Sequence, residues 1–333
     1  MAATMADVAR VAGVSKKTVS NYFNGYPYFK PETRARIEAA IDELGYQMNR
    51  AARSLRSGKT GRICLALPEL AQPYFAQLAE AVVATAQRTG YEVIVEVTGG
   101  DRDHELEVLG GARTLDVDGM IFGSLSMRHD DVDADGLQVP LVFVGDRGVS
   151  ERFDFVAVDS EEGVREATRY LLDQGRTRVV ALGWEDSGDA TSAAVRTRGY
   201  IRAHEESGVT IDPALCVGSP DWGMAGGDRA LSALLETGAT FDAVAGFNDA
   251  MALGALTALR RAGLAVPDDV AVVGFDNILQ AEYSAPALTT VDAGLTWVAE
   301  RAVATLLQRL VPGDGSETAI EVAPSRLVVR ESA

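Results

Sequence analysis

The sequence predicts an α/β protein in which a three-helix helix-turn-helix head precedes two doubly wound parallel-sheet lobes. Three observations predict it. Residues 4–45 hold three short helical periodicities, the first two separated by Gly13. From Arg62 onward, apolar runs of strand length alternate with amphipathic stretches of helix length, the pattern of parallel sheets covered on both faces. The charge divides at the same place: residues 1–61 hold ten Lys/Arg and five Asp/Glu, net +5, whereas the other 272 hold 21 against 43, net −22. At ~150 residues per domain, 333 residues also suit more than one domain.

The first helix starts after Thr4, an N-cap, and places Met5, Val8, Ala9 and Ala12 on one face. Gly13 permits a sharp turn. The second starts after Ser15, another N-cap, and turns Val19, Tyr22 and Phe23 inward. Its other face carries Lys17, Asn21 and Asn24, with Lys16 and Ser20 alongside. Pro31 opens a third helix, with Ile37, Ile41 and Leu44 inward and Gly45 at its end. In a helix-turn-helix the second helix enters the major groove. Lys reads guanine and Asn reads adenine, so Lys16, Lys17 and Asn21 are the base-reading candidates. Thr4, Ser15, Thr18, Ser20, Asn24 and Thr33 are candidates for phosphate and other supporting contacts. The alternative is a plain helical bundle with a solvated Lys/Asn face.

In the body, the strand candidates are 63–67, 92–97, 119–123, 140–144, 178–182, 243–247 and 270–275. Amphipathic stretches such as Phe75–Thr89, Glu162–Gln174, Gly227–Glu236 and Met251–Ala262 lie between them. Some 270 residues exceed one comfortable sheet, so two lobes are expected. Ligands of such folds bind beyond the carboxyl ends of the strands, here in a cleft between lobes.

Several function classes are disfavoured. No apolar run approaches ~18 residues, so no membrane span is expected. The N-terminus MAATMADVARVAGVS is not a secretory signal, and a cytoplasmic location is expected. Cys64 and Cys216 form neither a metal motif nor a disulfide framework. There is no Walker A string or dinucleotide fingerprint, and no nucleophile elbow. His104, His129 and His204 are isolated and expected at the surface. Neither an enzyme, a cofactor nor a metal is expected.

The strings DVARVAGVSKKTVSNYFNG, KPETRARIEAAIDELGY and NRAARSLRSGKTG resemble the N-terminal region of the lactose-repressor (LacI/GalR) family. ALPELAQPYFAQLAEAV, VRTRGY, GFNDAMALGA, VPDDVAVVGFDN and APALTTV follow in family order. They resemble the family's effector domain, itself similar to periplasmic sugar-binding proteins. The resemblance spans nearly the whole chain. It implies a DNA-binding head over 1–46, a hinge over 47–61 and an effector domain over 62–333. The N-terminal lobe would take 62–158 and 291–322, and the C-terminal lobe 159–290 and 323–333.

The resemblance also implies that Asn49 to Ser57 forms a hinge helix on operator DNA. Leu55 would be an apolar wedge in the minor groove, Asn49 and Ala52 would line that groove, and Arg50, Arg53 and Arg56 would meet phosphate. The alternative for Leu55 is packing on the body. Met48 stands where the family usually has Pro, and Lys30 where it often has Ser.

In the cleft, the resemblance assigns the effector-binding arginine to Arg196, with Ser192 four residues earlier. It assigns polar contacts to Asn248 and Asp276, and an aromatic over the ligand to Trp222. Tyr74 and Phe75 would face Trp222 from the other lobe. Gly145 occupies the place of a ligand-binding Asp, and Asp146 follows it; whether Asp146 reaches the cleft is open. Purely local roles stay open for the rest: Asn248 capping a helix, Asp276 capping a turn, Trp222 packing, and Arg196 pairing with Glu185 or Asp189. One of Tyr74 and Phe75 is expected in the core.

The implied protein is a homodimer on a pseudo-palindromic operator in double-stranded DNA, most often a repressor of sugar-use genes, responding to a sugar-like effector. A non-sugar metabolite or a protein co-regulator is the alternative. The end PSRLVVRESA carries no heptad segment, which favours a dimer over a tetramer. An uptake protein with the same body would need a leader and no basic head.

Overall fold

The computed structural model describes residues 3–23, 26, 28–46, 59–111, 115–128, 131–132, 136–137, 139–146, 152–186 and 191–333. They form two compact units, Met1–Thr60 and Gly61–Ala333.

In the first unit, α1 (Met5–Ala12), α2 (Lys16–Phe23) and α3 (Pro31–Leu44) enclose Val8, Ala9, Ala12, Val19, Ile37, Ala40 and Tyr46. A capping box starts α1. The Asp7 amide donates to Thr4 Oγ1 at 3.3 Å, and the Thr4 amide donates back to Asp7 Oδ2 at 3.0 Å. Gly13 ends α1 at φ 63°, the left-handed conformation that a side chain resists. The Thr18 amide donates to Ser15 Oγ at 3.0 Å, which caps α2. Lys30 precedes α3 without a side-chain cap, and Pro31 opens the helix.

The second unit holds two six-stranded sheets. One contains β1 (Arg62–Leu67), β2 (Glu92–Val97), β3 (Gly119–Phe122), β4 (Leu141–Gly145), β5 (Asp154–Val158) and β11 (Ile320–Ala323), in the order β11-β5-β4-β3-β1-β2. All its pairings are parallel. The other contains β6 (Val179–Leu182), β7 (Cys216–Val217), β8 (Ala243–Gly246), β9 (Ala271–Phe275), β10 (Thr289–Asp292) and β12 (Arg326–Val328), in the order β12-β10-β9-β8-β6-β7. Its edge strand β12 runs antiparallel to β10. The central strands are buried along most of their length, as expected of sheets covered on both faces.

Helices α4 (Pro73–Arg88) and α11 (Leu295–Arg309) pack together on the first lobe, and the short α10 (Leu279–Tyr283) follows β9 in the second. Helices α6 (Ser160–Asp173) and α7 (Ser192–Ser207) pair on the second, as do α8 (Met224–Glu236) and α9 (Asp249–Ala262). The chain passes between sheets after β5, between β10 and α11, and between β11 and β12. The C-terminal residues complete the second lobe. Ser332 is fully buried, accepts from the Thr289 amide at 2.8 Å and donates to the Val272 carbonyl at 2.6 Å.

The apolar runs of the sequence do not reveal β5, β7, β10 and β11. Polar residues shorten the apolar run in three of these strands: Asp154 opens β5, Thr289 and Thr290 open β10, and Glu321 interrupts β11. One histidine expectation is corrected. His204 is buried, not superficial, because its ring packs on Tyr200 with centroids 4.5 Å apart and its Nδ1 lies 3.1 Å from the Val209 carbonyl. Burial lowers its pKa below the ordinary histidine value. His104 is exposed, and His129 lies outside the described residues.

Candidate functional site

On the head, Lys16 and Lys17 are exposed at the start of α2, with Thr18, Ser20 and Asn21 partly exposed behind them. Thr33 is partly exposed in the first turn of α3. Two assignments meet local competition. The Thr4 hydroxyl donates to Asp7 Oδ2 at 2.7 Å, so this proton is committed to the cap. Ser15 Oγ and Thr18 Oγ1 bond each other at 2.8 Å. Hydrogen bonds from Thr4, followed by Arg10, draw the Asp7 carboxyl down to about 2. Asn24, Asn49, Ala52, Arg53 and Leu55 lie outside the described residues, as do Met48, Arg50 and Arg56.

Beyond the carboxyl ends of both sheets lies a cavity of about 310 Å³. Tyr74, Phe75, Asp146, Ser192, Arg196, Trp222, Asn248 and Asp276 all line it. The first three come from the first lobe and the others from the second.

Each polar residue has a local cause. Gly145 ends β4 at φ 131°, in a region that residues with a side chain rarely adopt. A residue bearing a carboxylate there would be strained, and Asp146 supplies that group one position later. Asp146 therefore reaches the cavity, where Ser160 Oγ donates to it at 2.8 Å. Arg196, on α7, meets it at 3.0 Å. Both side chains are buried, so the pair joins the two lobes away from bulk water.

Arg196 does not pair with Glu185; it turns inward. One terminal nitrogen donates to the Phe247 carbonyl, and the other lies 3.8 Å from Asp276. Its guanidinium carbon sits 4.2 Å from the Phe275 ring centroid and 5.5 Å from that of Trp222. Glu185 instead accepts from Thr191 Oγ1 at 2.8 Å, and Asp189 lies outside the described residues.

Asn248 has two tasks. Its Oδ1 caps α9 by accepting from the Met251 amide at 2.8 Å. Its Nδ2 donates to the Trp222 carbonyl at 2.9 Å and thereby ties the Trp222 loop to β8. Asp276 follows β9 at φ 116°, where a residue with a Cβ is strained. Such strain costs about 1–3 kcal/mol and persists only where the surroundings impose it. Here the Asp276 amide donates to the Val291 carbonyl at 2.9 Å. The next residue, Asn277, accepts from Arg330 at 2.7 Å. Burial pushes the Asp276 carboxyl well above the usual range; Arg196 opposes the shift, while Asp249 and Asp146 add to it. Burial, with Asp276 and Asp146 nearby, also raises the Tyr74 phenol.

With 343 aligned residues, 99% of this chain and 98% of the relative, the PurR transcriptional repressor of Vibrio vulnificus (strain CMCP6) is 32% identical to it. The chain belongs to the LacI family of bacterial regulatory proteins. The profile of that family matches residues 4–49, and that of a periplasmic binding protein-like domain matches 168–333. Among solved structures, the lac repressor dimer bound to operator and the anti-inducer ONPF has a TM-score of 0.83 at 27% identity, covering 100% of this chain and 99% of its own. The transcriptional regulator CelR–cellobiose complex has a TM-score of 0.72 at 31% identity, covering 99% and 100%. This LacI-family chain is thus a DNA-binding transcriptional regulator with an effector domain, not an enzyme.

Two groups that support the cavity escape the sequence motifs. Asp249 is fully buried behind Asp276, accepting from Thr290 Oγ1 at 2.5 Å and from the Ile278 amide at 2.9 Å. Burial raises it to about 7. Glu105, in α5 (Arg102–Gly110), is fully buried in the first lobe. It accepts from Ser124 Oγ at 2.8 Å and from the amides of Leu125, Ser126 and Met127 at 2.8, 3.2 and 2.9 Å. Ser124 and Leu125 line the cavity, so Glu105 holds one of its walls. On the head, Tyr28 is 81% exposed and packs edge-on against Tyr26; the aromatic run YPYF in an otherwise polar connection was its signal.

Among the described residues, no helix is long and apolar enough to cross a membrane. No group of three metal-binding side chains occurs among them either.

Proposed function

We propose that this chain is a homodimeric repressor of carbohydrate-use genes, acting in the cytoplasm, whose operator affinity is set by a small polyhydroxylated effector in the interlobe cleft. The observation that carries the reading is the convergence of eight side chains, from both lobes, on one cavity. Aromatic faces from Tyr74, Phe75 and Trp222 with a few directed polar groups suit a polyol. Ser192, Asp146, Asp276, Arg196 and the second amide proton of Asn248 are the polar set. On the head, Lys16, Lys17 and Asn21 read bases, and Ser15, Thr18, Ser20 and Thr33 set the register on phosphates. Thr4 acts through its cap. Asn24 joins the phosphate contacts. Asn49, Ala52, Arg53 and Leu55 form the hinge contacts, and 1–46, 47–61 and 62–333 are the working divisions of the chain. Because the cleft spans both lobes, an effector that prefers one lobe arrangement biases the hinge by its differential affinity, and by no more than that.

A purine-like effector is a second reading. The flat faces of Trp222 and Phe75, both lining the cavity, suit a base as well as a sugar ring.

Operator binding at fixed salt, titrated with sugars and nucleobases, separates the two. The expected result is a sugar that changes wild-type affinity by at least about tenfold and leaves Arg196→Ala unaffected. A nucleobase with that effect supports the second reading, and a wild type blind to both classes rejects a cleft effector of either kind.

A further inference from the structure

All four lysines of the 333 residues, Lys16, Lys17, Lys30 and Lys59, fall within the first 61; the other 272 residues carry 21 cationic Lys/Arg side chains, and every one is arginine. The body has a use for arginine that an ammonium does not meet. Arg309 sets two nitrogens on the two oxygens of buried Asp154 at 2.7 and 2.8 Å, and it also donates to the Ser316 and Glu317 carbonyls. Arg176 donates to the Pro267 carbonyl at 2.8 Å. Such planar forks are what a guanidinium offers and a lysine does not. The side-chain amine is thus a group that this sequence keeps for its head and the stretch that follows it.

Lys16 and Lys17 stand apart from the other two. They are neighbours at the start of α2, both are exposed, and α2 itself carries no acidic residue. Among the described residues, neither ammonium enters a hydrogen bond or an ion pair. Lys30 is followed by Glu32 in the first turn of α3, and Lys59 has no second lysine beside it. Activated acyl groups are carried on anions, as acyl phosphates or as thioesters of phosphorylated carriers. Such donors are drawn to the net +5 of residues 1–61 and held off by the net −22 of the remainder. Two adjacent ammonium groups on a helix without acids are where an anionic donor gathers most.

We propose that Lys16 and Lys17 are an acylation site that takes an activated acyl group directly from an anionic carrier, and that acylation lowers DNA affinity while leaving the effector domain untouched. The uncharged Nζ attacks the acyl carbonyl. A carbon–nitrogen amide bond forms, the carbon–oxygen bond to phosphate or the carbon–sulfur bond to the carrier breaks, and the amine proton passes to solvent as phosphate or thiolate departs. No oxidant or reductant enters. Each acyl group removes one positive charge, so modification of both takes residues 1–61 from +5 to +3. It also replaces an ammonium with three donors by an amide with one. Arginine at these positions would read guanine as well, but its guanidinium stays protonated and does not acylate in this way. The effect on DNA rests on α2 being the base-reading face.

The test treats the full chain with acetyl phosphate and, separately, with acetyl-coenzyme A, and maps acetyl-lysine over time by peptide mass spectrometry. DNA affinity is measured at fixed salt on a duplex that the unmodified chain selects from a random pool. Lys16→Arg/Lys17→Arg is scored by its own ratio of affinities with and without reagent; where it binds too weakly to score, the two single arginine variants replace it. With at least one donor, which names the source, Lys16 and Lys17 are expected to label at least about threefold faster than Lys30 and Lys59. Wild-type affinity is expected to fall by at least about tenfold as that label completes, with the ratio of the arginine variant staying near one. Labelling by neither donor, even labelling of all four lysines, or faster labelling of Lys30 or Lys59 overturns the site. An arginine variant that loses affinity under reagent as wild type does assigns the loss to the other lysines and overturns the proposal too. Full labelling of Lys16 and Lys17 without loss of affinity overturns the switch, and Lys16→Ala/Lys17→Ala then separates the causes. Unchanged affinity in that variant shows that the base-reading assignment of α2 fails as well; weakened affinity shows that the assignment stands and only the switch falls.

Discussion

The two walls of the cleft are built differently. On the C-terminal side, Arg196, Asn248 and Asp276 are buried, and each is tied to backbone or to a second buried group. On the N-terminal side, Tyr74 and Phe75 are half-buried rings packed edge-on, with centroids 5.4 Å apart, at the start of α4. Among the described residues, Asp146 is the one that crosses from this side to the polar set. One wall is a preorganised hydrogen-bonding surface; the other sets two aromatic rings beside Glu69, Gln72, Ser124 and Asp146. Under the proposed function, directional recognition would belong to the C-terminal lobe, and the N-terminal lobe would contribute contact area.

The largest expected effect breaks the rigid wall from behind. Asp249→Ala leaves the Thr290 hydroxyl and the Ile278 amide without their acceptor. It is expected to cost roughly 2–4 kcal/mol in denaturant unfolding and to weaken effector binding by more than about tenfold through Asp276. Asp249→Asn recovers most of the stability, because burial already raises this carboxyl to about 7 and a neutral side chain suits the site. Equal losses in both variants would show that charge, not the hydrogen-bond acceptor, matters here.

Phe75→Ala tests the other wall. It is expected to weaken effector binding by about 1–2 kcal/mol and to move the unfolding midpoint little, since the ring is half-buried. If unfolding shifts more than binding, the ring is core rather than wall.

The smallest effect is set by pH. The folded-state pKa of His204 is lowered by burial, so the unfolded chain takes up its proton first as pH falls. Its neutral form contributes full stability above about 6.5, and that contribution is lost below. Hydrogen exchange at pH 7 and pH 5 should show α7 and the C-terminal lobe loosening first. His204→Phe should flatten that difference; equal loosening of both lobes would assign the acid sensitivity elsewhere.

Much of the molecule was legible in the sequence for physical reasons. The head's helices are local: caps at Thr4 and Ser15, Gly13 and a 3.6-residue period sit within one stretch of chain. The central strands announce themselves because burial on both faces makes them continuous apolar runs. The cleft residues were reachable only through motif order, since Tyr74, Arg196 and Asp276 are distant in sequence. Glu105 was not legible, because a buried acid in RDHELEVLG looks like one more solvated charge until four donors close around it. Asp249 was hidden by its neighbour: in FND the asparagine draws the eye, while the aspartate supports the wall from behind. Asp146 shows a different limit. Whether it entered the cleft depended on a single positive φ at Gly145, which no residue pattern encodes.

The burial of Ser332 has a consequence for the order of events during synthesis. Its hydroxyl joins Thr289 to Val272 in the C-terminal lobe, so these contacts form only after residue 332 has left the ribosome. The head needs only its first 46 residues for its core. A nascent chain can therefore close the core of its head long before the C-terminal lobe holds its Thr289–Ser332–Val272 contacts.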